Sequence, residues 1–357
     1  MLPLSNNTGF ETNVYEDKVD ATMAKKIKPI IAITMGDPAG IGPEIALKAL
    51  SESNIYEICR PLLIADVKVL EWYTAEFGPP IHLNVINDVS DASFTYGTID
   101  VIHLDNVSMN DLLIGENDAR NGTAMLEYTK KAVDLSMEGK VHAVIGGPHT
   151  KKSVELAGID FDGYPGYVAQ LTGVPTEETF LMLVSGNLRI INVTLHVSLR
   201  QASEMIKKDL VLKAIKAAER AARNLGVPSP RIAVAGLNPH AGEDGMFGTE
   251  ELIEINPAIA GAREQGIDVR GSFGSDTMFM HWEQNQFDAY VCMYHDQAHL
   301  PMKLLAFDKI TAFTIGTPVF FCTVGHGSAP DIAGQGIASP GSLLESIRLM
   351  SNAIVER

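Results

Sequence analysis

The sequence predicts an α/β fold of two lobes facing a shared cleft, on three observations. Short apolar runs such as Pro29-Ile30-Ile31-Ala32-Ile33-Thr34-Met35 alternate with stretches of helical spacing, the pattern of a mostly parallel sheet covered on both faces. The middle of the chain adds two apolar runs, 180–184 and 188–193, separated only by Ser185-Gly186-Asn187, a hairpin signal. With 357 residues and 46% hydrophobic content, the chain can bury one large core or two smaller ones.

Each element follows in order. Residues 1–27 mix Asn, Thr, Glu, Asp and Lys without periodicity and are expected to be a flexible lead-in. The strand at 29–35 is followed by a Gly/Pro turn and a helix through Ile45-Ala46-Leu47-Lys48-Ala49-Leu50. Further apolar strands are expected at 62–65, 82–86 and 99–102. A helix with apolar positions Met125, Tyr128, Ala132 and Leu135 leads into a strand at 143–146. After the hairpin, an amphipathic helix over 210–225 feeds a strand at 232–235; another strand lies at 289–293 and a last helix over 343–354. Residues 28–160 with 305–357 are assigned to the first lobe, and 161–304 to the second.

Composition narrows the function classes. Lys plus Arg number 28 against 44 Asp plus Glu, a formal charge of −16, which repels phosphate backbones and anionic lipid and argues against nucleic-acid or membrane-surface partners. A local cation or a metal could still hold an anionic substrate. No apolar run reaches the roughly 20 residues a membrane-spanning helix needs. Three scattered cysteines, Cys59, Cys292 and Cys322, suit neither a disulfide framework nor a thiolate metal site and fit the reducing cytoplasm.

Neither a G-x-G-x-x-G turn after a strand, nor a P-loop, H-E-x-x-H helix or G-x-S-x-G elbow is present. Five other segments carry polar chemistry. Gly36-Asp37-Pro38-Ala39-Gly40-Ile41-Gly42-Pro43-Glu44 reads equally as a tight strand-to-helix connection or as a ligand loop at a strand's carboxyl end. His196, His240 and His295 each follow an apolar strand; they could converge on one divalent cation or be unrelated. Lys303, eight residues beyond His295, could snorkel to solvent or bind a carboxylate and exchange a proton. Gly146-Gly147-Pro148-His149-Thr150-Lys151-Lys152, with Gly163-Tyr164-Pro165-Gly166 beyond, could cradle an anion or only join a strand to a helix. His326-Gly327-Ser328-Ala329-Pro330-Asp331-Ile332-Ala333-Gly334 could wrap an adenosine or be a surface loop.

The first and last of these segments resemble the early loop and the adenosine loop of the isocitrate and isopropylmalate dehydrogenase superfamily. The three histidine segments narrow the resemblance to the 4-hydroxythreonine-4-phosphate dehydrogenases, from about Lys28 to the C-terminus. The resemblance implies an isocitrate/isopropylmalate dehydrogenase-like fold and NAD rather than NADP, bound through Gly36, Asp37, His326, Gly327, Ser328, Ala329 and Asp331. Asp331 would hold the ribose and repel a 2′-phosphate. It implies one divalent ion (Zn, Mg, Mn or Co) on His196, His240 and His295, in a site shared between the subunits of a homodimer. Lys303 would act on the substrate, with Asp276 and Asp296 orienting the lysine and imidazoles.

The chain departs from that family where the substrate is expected. Tyr164 and Pro165 stand where the family has His and Thr, and Ala312 and Phe321 where it has phosphate-side Asn and Arg. Tyr164, Pro165, Lys303, Ala312 and Phe321 are therefore expected to shape a site for a flatter small-molecule carboxylate. The chain is similar at Gly163-Tyr164-Pro165, Thr194-Leu195-His196 and His299 to the terephthalate dihydrodiol dehydrogenases. The sequence-based expectation is oxidative decarboxylation of a cis-dihydrodiol carboxylate; the alternatives are 4-hydroxythreonine 4-phosphate oxidation with a rearranged phosphate site, a non-catalytic binding homologue and, last, a metal-dependent hydrolase.

Overall fold

The computed structural model describes residues 28–78, 81–280, 282–306 and 310–355; the expected lead-in at 1–27 lies outside them. Twelve strands form one sheet: β1 (Ile30–Thr34), β2 (Arg60–Ala65), β3 (His82–Ile86), β4 (Thr98–His103), β5 (Ala143–Gly146), β6 (Phe180–Ser185), β7 (Leu188–Asn192), β8 (Arg231–Ala235), β9 (Asp268–Phe273), β10 (Ala289–Cys292), β11 (Thr311–Ile315) and β12 (Phe321–Val324). The helices are α1 (Gly42–Ala49), α2 (Ile55–Ile58), α3 (Val67–Phe77), α4 (Ala119–Met137), α5 (Lys151–Leu156), α6 (Tyr164–Thr172), α7 (Leu199–Met205), α8 (Lys208–Asn224), α9 (Asn256–Glu264), α10 (His295–Ala306) and α11 (Gly341–Val355).

The spatial order is β3-β4-β2-β1-β5-β12-β11-β6-β7-β10-β8-β9. Pairing is parallel except around β11 and β6, where the β12/β11, β11/β6 and β6/β7 pairs are antiparallel. The hairpin expected at Ser185-Gly186-Asn187 is the β6/β7 turn, with Gly186 at φ 53°. Central strands are apolar on both faces because helices cover both: Ile31, Ala32 and Ile33 of β1 are fully buried. Helix α8 buries Val211, Ala214, Ile215, Ala218, Ala221 and Ala222, a single stripe at helical spacing. Asp118 caps α4 by accepting the Arg120 N–H at 2.8 Å, and Ser198 caps α7 by accepting the Gln201 N–H at 3.2 Å. Among the described residues no helix is long and apolar enough to cross a membrane.

Candidate active site

The three histidines leave the carboxyl ends of three neighbouring parallel strands. β10 pairs with β7 on one side and β8 on the other; His196 follows β7, His295 follows β10 and His240 follows β8. Thr194 ties the first two segments together, its N–H and Oγ1 both donating to the Met293 carbonyl at 3.1 and 2.8 Å. The rings of His196 and His295 lie 5.7 Å apart. Asp296 meets His295 Nδ1 at 2.7 Å, which fixes Nδ1 as the protonated nitrogen and leaves Nε2 free to bind. Asp296, expected to orient the imidazoles, is thus in contact with one of them. Asp276, by contrast, is exposed on the turn after β9, and among the described residues it has no hydrogen bond to Lys303 or to an imidazole.

His240 does not join the other two within one chain. It lies in a separate depression with Glu243, Asp244, Asn256 and Arg263. Residues 240–244 run consecutively at φ between 44° and 83°, a left-handed turn in which only Gly242 is a glycine. Each of the other four costs about 1–2 kcal/mol in that conformation, so tertiary structure must hold it. Among the described residues of one chain, no group of three His, Cys, Asp or Glu forms a metal site.

His196 and His295 open into a pocket of about 340 Å³. One wall carries His149, Lys151, His299, Lys303 and His326, of which the two lysines are cationic. Its floor is the shared face of β6, β11 and β12, where alternation presents Leu181 and Leu183, Ala312 and Thr314, and Thr323. Pro165 and Ala312 line the pocket as expected. Phe321 does not: it shares the face of Thr323, but the Tyr164 ring lies over it at 5.3 Å and it is fully buried. Tyr164 touches the pocket with little of its surface, being 2% exposed, and its hydroxyl donates to the Gly147 carbonyl at 3.1 Å. The bare α-carbon of Gly146 makes room for this pair, since a Cβ there would sit 3.0 Å from Phe321 Cζ and 3.3 Å from Tyr164 Cε2.

His149, Lys151 and His299 also line the pocket; the sequence offered the first two only in a possible anion cradle and gave none of the three a site role of its own. Helical spacing is the signal for His299, because His295, His299 and Lys303 succeed one another at i, i+4 and i+8 along α10. The His295 and His299 rings stack at 3.7 Å. Burial pushes His149 and His299 down to about 4 and lowers His196, so all three imidazoles are neutral near pH 7, the form that binds metals and accepts hydrogen bonds. His149 Nδ1 is buried without a partner, while its ring packs edge-on against Phe161 and Tyr164.

The expected cofactor residues divide into two groups. Gly36, Asp37 and Ser328 are buried and interlock three loops rather than face a cleft. Asp37 N–H donates to the Pro148 carbonyl at 2.9 Å, and Ile41 N–H to the Ser328 carbonyl at 2.9 Å. Ser328 Oγ bonds Thr150 Oγ1. A Cβ on Gly36 would lie 2.4 Å from Pro148 O, so only glycine allows this approach. Burial raises the Asp37 carboxyl, against the hydrogen bonds from Thr150 and the Ala39 N–H. His326, Gly327, Ala329 and Asp331 remain accessible. The far end of their loop is fastened to α1 by Lys48, whose Nζ donates to Glu44 Oε1 at 2.7 Å and to the carbonyls of Gly336 and Ala338 at 2.9 and 2.8 Å. Asp331 is thus an exposed carboxylate on a braced loop.

Comparison with known proteins bears on this arrangement. A family model described as pyridoxal phosphate biosynthetic protein PdxA matches residues 57–350. A Symbiobacterium thermophilum protein provisionally named a D-threonate 4-phosphate dehydrogenase is 43% identical over 322 residues, 90% of this chain and 96% of that protein. A crystal structure of a 4-hydroxythreonine-4-phosphate dehydrogenase from Burkholderia phymatum superposes with TM-score 0.81 at 39% identity, covering 91% of this chain and 98% of that one. A terephthalate 1,2-cis-dihydrodiol dehydrogenase from Burkholderia xenovorans gives TM-score 0.68 at 35% identity, with 91% and 98% coverage. The fold is thus the isocitrate/isopropylmalate dehydrogenase-like α/β fold that the sequence resemblance implied. The pocket and its histidine-bearing strand ends stand on that fold, and the chain belongs to the PdxA family of dehydrogenases.

Proposed function

We propose that the protein is a NAD- and divalent-metal-dependent dehydrogenase that oxidises, with decarboxylation, a β-hydroxy acid carrying a terminal phosphate, of the 4-hydroxythreonine 4-phosphate class. This revises the dihydrodiol expectation. The relatives named for phosphorylated substrates are the more similar ones in sequence and in fold. The observation that carries the reading is that Lys151 and Lys303 line one pocket with His196 and His295. Two ammonium groups there can serve two anions, a carboxylate and a phosphate, without the family's Asn and Arg at 312 and 321.

The donor set fits a divalent ion: imidazole nitrogens, with His295 Nε2 left free by Asp296. Such an ion needs more than two protein ligands, and a second copy's His240 would supply the third. Exposed Met246, Phe247, Leu252 and Ile253 near His240 support that homodimer, because apolar surface of this extent favours a protein partner. When bound, the metal would supply Lewis-acid polarisation of the substrate hydroxyl and NAD a hydride acceptor. The chain's own part is to orient and to move protons. His295 is held in one tautomer by Asp296, and Asp331 accepts from the ribose hydroxyls. Lys303 pairs with the carboxylate and afterwards gives a proton to the carbon that loses carbon dioxide.

A second reading, oxidation of a cis-dihydrodiol carboxylate, is supported by the floor of Leu181, Leu183 and Ala312, which suits a carbocycle. NADH formation at 340 nm with added Mn²⁺ separates the two. Turnover of 4-hydroxythreonine 4-phosphate, lost in a Lys151→Met variant, supports the first; turnover of the dihydrodiol alone overturns it.

A further inference from the structure

We propose that Gln297 is a positioning residue that locks the loops bearing His196, His240 and His295 in one register. The inference rests on the metal-dependent reading above. Gln297 is the third residue of α10 and is 7% exposed. Its side chain reaches back and sideways rather than toward the pocket. The Met293 N–H donates to Oε1 at 2.5 Å; Nε2 donates to the Gly236 carbonyl at 2.8 Å and to Ser275 Oγ at 2.6 Å. The amide fits only this way round, since the reverse would set its oxygen against the Gly236 carbonyl and its NH₂ against the Met293 N–H.

These partners are the termini of separate strands. Met293 follows β10 directly, two residues before His295, Gly236 follows β8 directly, four residues before His240, and Ser275 follows β9. Met293 also accepts from Thr194 through its carbonyl, and Thr194 stands two residues before His196. One buried amide therefore closes a chain of hydrogen bonds, Thr194 to Met293 to Gln297 to Gly236, that passes through the base of every histidine-bearing loop. The left-handed turn begins just beyond Gly236. Its entry is pinned from the other side by the buried Glu251 carboxylate, which accepts from Leu237 N–H at 2.6 Å and Asn238 N–H at 2.8 Å. A strained segment keeps a fixed direction only where its ends are over-determined, and Gln297 supplies the cross-strand half of that constraint. Without the amide, α10 would still have its own helical bonds, but the offset between the His240 and His295 loops would fall back on the β10/β8 ladder, which ends at Val291 and Val234.

The test uses the full chain and Mn²⁺ as the probe. Wild type, Gln297→Leu and the milder Ser275→Ala and Gln297→Asn are titrated calorimetrically with Mn²⁺, alongside thermal melts and steady-state kinetics varying NAD. The expected result is at least a tenfold loss of Mn²⁺ affinity in Gln297→Leu, a smaller loss in Ser275→Ala, and a KM for NAD within twofold of wild type. Should Gln297→Leu fail to fold, Gln297→Asn is read by the same criterion. Variants that melt earlier but bind Mn²⁺ like wild type would reduce Gln297 to a helix cap and overturn its positioning role alone. A wild-type protein that binds neither Mn²⁺ nor Zn²⁺ would overturn the metal reading and the role of Gln297 with it.

Discussion

Replacing Lys48 by Met tests whether the loop of Asp331 is held in place from α1. Lys48 Nζ makes three hydrogen bonds, to Glu44 Oε1 and to the carbonyls of Gly336 and Ala338, five and seven residues past Asp331. Glu44 is 2% exposed and also accepts the Ala338 N–H at 2.7 Å; its Oε2 is buried without a partner. Removing the ammonium thus leaves a buried carboxylate short of its cation. Breaking a fully buried pair costs about 3–5 kcal/mol, but the Lys48 side chain is 28% exposed, so water recovers part and about 2–3 kcal/mol is expected. With an unfolding entropy of about 2 cal/mol/K per residue, that lowers the Tm by roughly 3–4 °C. The functional consequence is separable: the freed end of the loop raises the KM for NAD several-fold while kcat stays close to wild type. A Lys48→Met enzyme that melts earlier yet keeps a normal KM for NAD would refute the idea that this clamp positions the loop.

Three further outcomes are expected. Tyr164→Phe lowers stability by about 1 kcal/mol, the worth of one buried hydrogen bond, and leaves the substrate KM unchanged, because the hydroxyl faces Gly147 O rather than the pocket; a large KM change would return Tyr164 to substrate binding. Asp296→Asn weakens Zn²⁺ or Mn²⁺ binding about 10–100-fold, as loss of a carboxylate behind a ligating imidazole does, measured by equilibrium dialysis. Burial alone would raise the Asp288 carboxyl, but hydrogen bonds from the Arg231 side chain and N–H hold it below its ordinary value. A carboxylate so lowered contributes stability that is complete above the usual carboxylate range and lost as pH falls through its folded pKa. Asp288→Asn is therefore less stable than wild type at pH 7 and flattens the decline in Tm below about pH 4.

The strand ends were legible because buried parallel strands are continuous apolar runs, and a histidine just after such a run must sit at the sheet's edge. That reasoning placed His196, His240 and His295 each at a strand end, whereas the adjacency of β7, β10 and β8 comes from pairing that no local pattern encodes. The strand assignments near β11 were harder. Ala312 and Phe321 belong to consecutive strands, and the family resemblance puts both at the pocket; the arrival of Tyr164 from α6 removes Phe321 from view. The glycine-rich loop after β1 left two readings open, and what local pattern could not show is its tertiary contact: Gly36 and Gly147 let backbone approach backbone. The left-handed turn at 240–244 was not readable, since four of its five residues favour other conformations and Glu251, which pins its entry, lies beyond a further bend of the chain.

The unbroken sheet has a mechanical consequence. Rungs of the β12/β11 and β11/β6 ladders run beneath the pocket, so its two walls are joined by backbone hydrogen bonds under the place where substrate would rest. A free hinge between the walls would have to shear those ladders, at the expense of several backbone bonds in succession. Opening and closing must then come from elastic twisting of the sheet or from the segments standing above it. The end of α10 is suited to that duty: Pro301 interrupts the helix and removes the donor that Gln297 O would otherwise meet, and Lys303 and Leu304 beyond it are exposed. The strand-end cluster is tied into the sheet, whereas the lysine stands on the stretch beyond Pro301, where one helical hydrogen bond is missing.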